Sequence, residues 1–153
     1  MTFDHKQDAQ FAKSVLFVAF ANLTYFFVEF IAANNIHSSS LFADSIDFLE
    51  DASINILIFL ALGWSIKSKA RLGKCLAMIL VIPALAFLYT IWQKFNVPSV
   101  PDPSILSLTG FGALLVNLTC TFILMRFRNY QGSLTRAAFL SARNDALANI
   151  GII

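Results

Sequence analysis

The sequence predicts an all-α fold, a polytopic transmembrane bundle with five helices present, and three observations predict it. Hydrophobic residues make up 58% of the 153-residue chain and charged residues 13%, more apolar surface than a soluble domain of this length can hide. The apolar residues gather into five runs, each near the ~20 residues that a helix needs to cross a bilayer. These runs are continuous and rich in Phe, with 16 in the chain, whereas a membrane β-barrel needs short strands alternating apolar and polar side chains.

A polar tail, residues 1–13, is expected to lie in the cytoplasm and precede segment one, residues 14–34. That segment is long, carries Asn22 and Glu29, and ends in NNIHSSS rather than at a small-x-small cleavage site, so it should be retained rather than removed as a signal peptide. Segment two, residues 41–66, contains Asp44, Asp47, Glu50 and Asp51. A helix starting only after Asp51 would rise roughly 22 Å by Ile66, short of the ~30 Å hydrocarbon core, so the acids belong to the span. Ser40 or Asp44 is the expected cap.

Segment three, residues 72–92, holds Pro83 in its middle, where a kink or a freed carbonyl is expected. The stretch FNVPSVPDPS then forms a rigid extended turn. Segments four and five cover residues 105–125 and 137–153, and the transmembrane domain as a whole covers residues 14–153, with no soluble C-terminal domain in this sequence. Cys75 and Cys120 lie inside apolar segments without CxxC spacing and read as small buried hydrophobes.

The net charge of +2 hides a strong asymmetry. Of eleven basic residues, ten fall in the tail, in the loops following segments two and four, or in the segments just beyond those loops, as Lys74 and Arg143 do, and only Lys94 lies on the other side. The positive-inside rule makes the basic face cytoplasmic, with the N-terminus also inside. An integral protein of the cell's inner (plasma) membrane is expected. Its surroundings are the lipid bilayer, and the topological reading of the basic loops leaves no need for nucleic acid.

The polar residues within the spans carry the functional information, because a carboxylate near a helix centre costs on the order of 3 kcal/mol to insert. Asp44, Asp47, Asp51 and Asn55 follow i, i+3, i+7, i+11 spacing, one stripe on the second helix. Segment one offers Asn22 and Glu29, segment four Asn117 and Thr121, and segment five Ser141, Asp145 and Asn149. Asp47 and Asp51 stand one turn apart, so both carboxylates can reach one cation. Without metal, one member of such a pair holds a proton, and a divalent cation that displaces it changes the charge little. That is the chemistry of a metal/proton exchanger. Arg143 reads as a snorkelling residue at a helix end and His37 as a solvated loop residue.

The stretch VEFIAANNIHSSSLFADSIDFLEDASINILI and the later SARNDALANIGII together resemble the cation diffusion facilitator family of divalent-metal/proton antiporters, which are cation efflux transporters. The family shows a His-or-Asp-x-x-x-Asp pair on its second helix, matched by Asp47 and Asp51, and another on its fifth, where Asp145 matches the second acid. The resemblance implies metal ligation by Asp47, Asp51 and Asp145. Ser141 departs from the family's first ligand on that helix, which leaves the fourth ligand open among Ser141, Asn149, a backbone carbonyl and water. Glu29 and Asp44 are candidates for the shell around the ligands or for a proton relay.

An oxygen-rich site without histidine leans from tetrahedral zinc toward manganese, iron or cobalt within the divalent class. No tightly bound cofactor is expected, only the transported divalent cation and protons, and the resemblance implies a homodimer. It also implies six helices, so that the chain reads as truncated within the fifth. Two other readings compete. A magnesium-dependent lipid transferase in the membrane would also use spaced aspartates, although the D-G-x-x-A-R element of the phosphatidyltransferase type needs an Asp-Gly that the chain lacks. A non-transporting truncated remnant is the third.

Overall fold

The computed structural model describes residues 5–62, 100–127 and 133–150, with scattered positions between 64 and 95. Its elements are all helices: α1 (His5–Ile36), α2 (Ser39–Leu60), α3 (Pro103–Met125) and α4 (Ser133–Ile150). They correspond to segments one, two, four and five. Of the expected helix over residues 72–92 only scattered positions are described, among them Lys74, Met78, Val81, Leu85 and Tyr89, and these are helical; Pro83 and Cys75 within it, and the last three residues, lie outside the described residues.

The boundaries differ from expectation where polar residues prove compatible with a helix. α1 begins at His5 rather than at residue 14, so most of the expected tail is helical, and Asp8 sits in its first turn, where an acid complements the helix dipole. At 32 residues α1 rises about 48 Å and so extends past the hydrocarbon. α2 ends at Leu60, six residues short of the expected 66, because its 22 residues already rise about 33 Å. Beyond it Trp64 and Ser65 are not helical, and the Ser68 N–H donates to Ser65 Oγ at 3.3 Å.

The cap of α2 is Ser38, in place of the expected Ser40 or Asp44. Its Oγ accepts the Leu41 N–H at 3.3 Å, with the extended backbone that an N-cap requires. Just before it His37 takes a left-handed conformation at φ 51°, and the Ser38 N–H donates to the Ala33 carbonyl at 3.0 Å. Together these bonds make a Schellman ending followed at once by a new cap, so α1 and α2 are joined by two residues and run antiparallel. α3 starts on Asp102, whose Oδ1 accepts the N–H groups of Ser104 (2.9 Å) and Ile105 (3.2 Å), with Pro103 in the first turn.

α1 packs along α2 and α3 along α4, while α1 also meets α3 and α2 meets α4. Along this arrangement the interior is layered. Phe11, Val15, Val18, Ile58, Cys120, Leu124, Phe127, Ala138 and Ala142 form an apolar cluster at the end that carries the start of α1. Ala33, Ile36 and Leu41, with Leu106 against them, form a smaller one at the opposite end. Between the two lie Asn22, Glu29, Asp44, Asp51, Asn55, Asn117 and Asn149, all buried.

The outside is the reverse: Phe17, Phe20, Phe27 and Ile31 of α1 and Leu108, Phe111, Leu115 and Phe122 of α3 are all exposed. A polar interior beneath an aromatic exterior suits a solvent of lipid, where backbone groups are satisfied within helices and apolar side chains face outward. The stretch Gln7–Ile36 and helix Pro103–Met125 are each long and apolar enough to cross a membrane. With the apolar exterior, they mark an integral membrane protein. α2 and α4 bring the acids between them.

Candidate metal site

The stripe on α2 is split by its surroundings. Asp44, Asp51 and Asn55 are buried, while Asp47 is exposed at the edge of the polar layer. From α4, the Asp145 carboxyl comes into hydrogen-bonding range of Asp51 and into the electrostatic reach of Asp47. The two sequence-predicted elements therefore meet across the α2–α4 contact. The Asn55 Nδ2 donates to the Asp51 carbonyl at 2.8 Å, one turn back, and so braces the backbone below the acid.

Asn149 has a different set of partners from those a free ligand would have. Its Nδ2 donates to Asp44 Oδ2, and its Oδ1 accepts from Asn117 Nδ2 at 2.9 Å. This buried chain ties α2, α4 and α3 together. Glu29 of α1 lies beside this chain: it is fully buried, and Asp44 is the acid that bears on it most strongly. The Ser141 side chain lies outside the described residues.

Several buried polar atoms of this layer have no hydrogen-bond partner among the described residues, including Asn22 Nδ2, Asn55 Oδ1, Asn117 Oδ1 and Thr121 Oγ1. Each such orphan costs about 1–3 kcal/mol, so their concentration in one layer marks a place suited to water or an ion. No three His, Cys, Asp or Glu side chains among the described residues already stand as a metal-holding group.

Sequence reasoning missed Tyr25. Its hydroxyl donates to the Thr109 carbonyl at 2.7 Å, its ring lies 5.1 Å from that of Phe48, and its phenol stands within the field of Glu29 and Asp44. Gly112 makes room for it, since a Cβ there would come within 2.0 Å of the Tyr25 Oη. A tyrosine in a Phe-rich helix and a glycine in an apolar one offer no sequence pattern, so only packing reveals the pair. Cys120, read as a small buried hydrophobe, is fully buried, with its Sγ–H 3.7 Å from Asn22 Oδ1 and Asp51 close enough to bear on it.

A family model described as the cation efflux transmembrane domain matches residues 15–153. No curated protein and no solved structure gives a significant match.

Proposed function

Because the chain belongs to the cation efflux family, whose members are membrane transporters, we propose that it exports a divalent metal cation in exchange for protons. Asp47, Asp51 and Asp145 are the ligands in this reading. The observation that carries it is the meeting of Asp51 and Asp145 across α2 and α4, in a buried layer rich in orphaned polar atoms. Asp47, exposed beside them, is the acid a cation reaches first.

When the divalent cation leaves, its two positive charges are lost from among three carboxylates, and protons taken up by those acids replace them. Alternating access then needs only a shift of the α2–α4 pair relative to α1 and α3 to expose the same acids to either side. Asn149, engaged with Asp44 and Asn117, acts as a brace, which leaves Ser141, a backbone carbonyl or water as the fourth ligand. A site of oxygen donors takes manganese, iron(II) or cobalt more readily than it selects zinc. The N-terminus lies in the cytoplasm in this reading, because the basic residues gather on that side.

The test is flux in proteoliposomes under an imposed proton gradient, with manganese, cobalt and zinc as substrates and a lumenal pH dye as the second channel. Metal movement accompanied by opposite proton movement is expected. Metal uptake without proton counterflow would remove antiport, and lipid turnover in place of flux would restore the transferase reading.

A further inference from the structure

At the end of the molecule where α1 begins and α3 finishes, a cavity of about 550 Å³ is lined by Gln7, Gln10, Lys13, Ser14, Phe17, Ile123, Arg126 and Phe127. Its chemistry is divided. Its lining includes two cations, two amides and a hydroxyl on the one hand and three apolar side chains on the other. Lys13 and Arg126 are both exposed.

We propose that this cavity binds the phosphate headgroup of an anionic phospholipid, with the acyl chain running up the outer seam between α1 and α3. Four features of the site support this. The volume lies in the range of small-molecule pockets, roughly 300–1,000 Å³. Lys13 and Arg126 supply a point charge and a planar fork of donors, a pairing suited to phosphate oxygens.

The apolar part of the lining does not end at the cavity. Phe17 and Phe20, 54% and 70% exposed, carry it along α1, and Phe122, 62% exposed, carries it along α3. A free phosphate has no use for such a lane, whereas a lipid fills it. Depth agrees as well, because the cations lie at the end of helices whose middle is hydrocarbon-like, on the side where the basic residues gather. Each basic residue near an anionic membrane surface contributes about fivefold in affinity.

The site does not involve Asp47, Asp51 or Asp145, so it stands or falls apart from the transport reading. The experiment is lipid retention by the whole chain, reconstituted in nanodiscs of mixed phosphatidylglycerol and phosphatidylcholine, extracted in mild detergent and weighed intact by native mass spectrometry. Retained phosphatidylglycerol should exceed phosphatidylcholine by at least about tenfold over its share of the bilayer. The double variant Lys13→Gln, Arg126→Gln should lose that preference, while Lys67→Gln, Lys74→Gln, which removes the same charge from the stretch following α2, should keep it.

Ser14→Trp keeps both cations and fills the cavity, so it should also lose the preference. Loss in the control variant equal to that in the site variant, or full retention in Ser14→Trp, would show a general surface field and overturn the pocket. Displacement of the retained lipid by millimolar inorganic phosphate would assign the site to a free anion and overturn the lipid. Thermal unfolding of each variant in detergent confirms that the comparison is among folded proteins.

Discussion

Helices α1 and α3 are long, apolar and aromatic on their outer faces, and to the interior they contribute amides, hydroxyls and one acid, Glu29. Helices α2 and α4 carry the remaining acids of the layer, and their mutual contact brings Asp51 to Asp145. The difference separates two tasks. The first pair can lie against lipid and hold its position through packing, such as Tyr25 against Gly112. The second pair is poorly suited to lipid and is stabilised only where its acids find partners, cations or water. A transporter needs both, because a substrate site has to change exposure while something else remains fixed.

The comparison breaks most directly at the acids. Asp47→Ala, Asp51→Ala and Asp145→Ala should each abolish metal flux at equal membrane insertion, a larger loss than the ~10–100-fold typical of residues that only support a ligand. Asn149→Ala and Glu29→Gln, on the braces, should fall within that smaller range. Asp8→Ala, far from the layer, should transport like the native chain. Native flux in all three aspartate variants would remove the α2–α4 pair from the site.

Acidity sharpens the same division. Carboxylates must shed protons to take up metal, so lowering the pH opposes binding, and each proton displaced weakens apparent affinity about tenfold per pH unit once the site is protonated. Titration calorimetry with cobalt across a pH series should show that slope in the native chain. Asn149→Ala leaves the ligand carboxylates in place, so it should shift the curve while keeping the slope. A flat profile would mean that protons and metal do not compete for these acids.

Much of this was legible from the chain. The apolar runs gave the four helices, and the helix containing Asp145 meets the one that carries Asp51. What the sequence could not show depends on rotation and packing. Helical periodicity places Asp44, Asp47, Asp51 and Asn55 on one stripe, but a stripe has edges, and Asp47 falls on the outer one. The caps were ambiguous for another reason, since Ser38, Ser39 and Ser40 all could cap and only the left-handed His37 fixes which does. Asn149 looked like a spare ligand because its two partners, Asp44 and Asn117, come from helices distant in sequence.

The scaffold half of the comparison has its own test at the α1–α3 crossing. Gly112→Ala should push the Tyr25 hydroxyl away and break its bond to the Thr109 carbonyl, costing about 1–3 kcal/mol of stability by overpacking. Tyr25→Phe removes the clashing Oη and should cost only about 1 kcal/mol. The double variant should then be more stable than Gly112→Ala alone, a coupling that a thermodynamic cycle in detergent can read. Additive losses would mean that the two residues do not meet.

The smallest effect is expected at the turn that passes the chain from α1 to α2. His37 holds φ 51°, a conformation that costs a residue with a Cβ roughly 1–2 kcal/mol and glycine almost nothing. Part of that gain is lost, because glycine also has more freedom to surrender on folding, so His37→Gly should stabilise the protein by about 0.5–1 kcal/mol. His37→Val should do the opposite, since a β-branched side chain is worst suited to the left-handed region. Neither should alter metal flux per folded molecule, because His37 is exposed in the turn, with a whole apolar cluster between it and the acids. If His37→Gly unfolds at a higher temperature and transports normally, the turn is scaffold. If it transports poorly while remaining folded, the imidazole belongs to the cation path, and the division between the two helix pairs would have to extend to the loop that joins them.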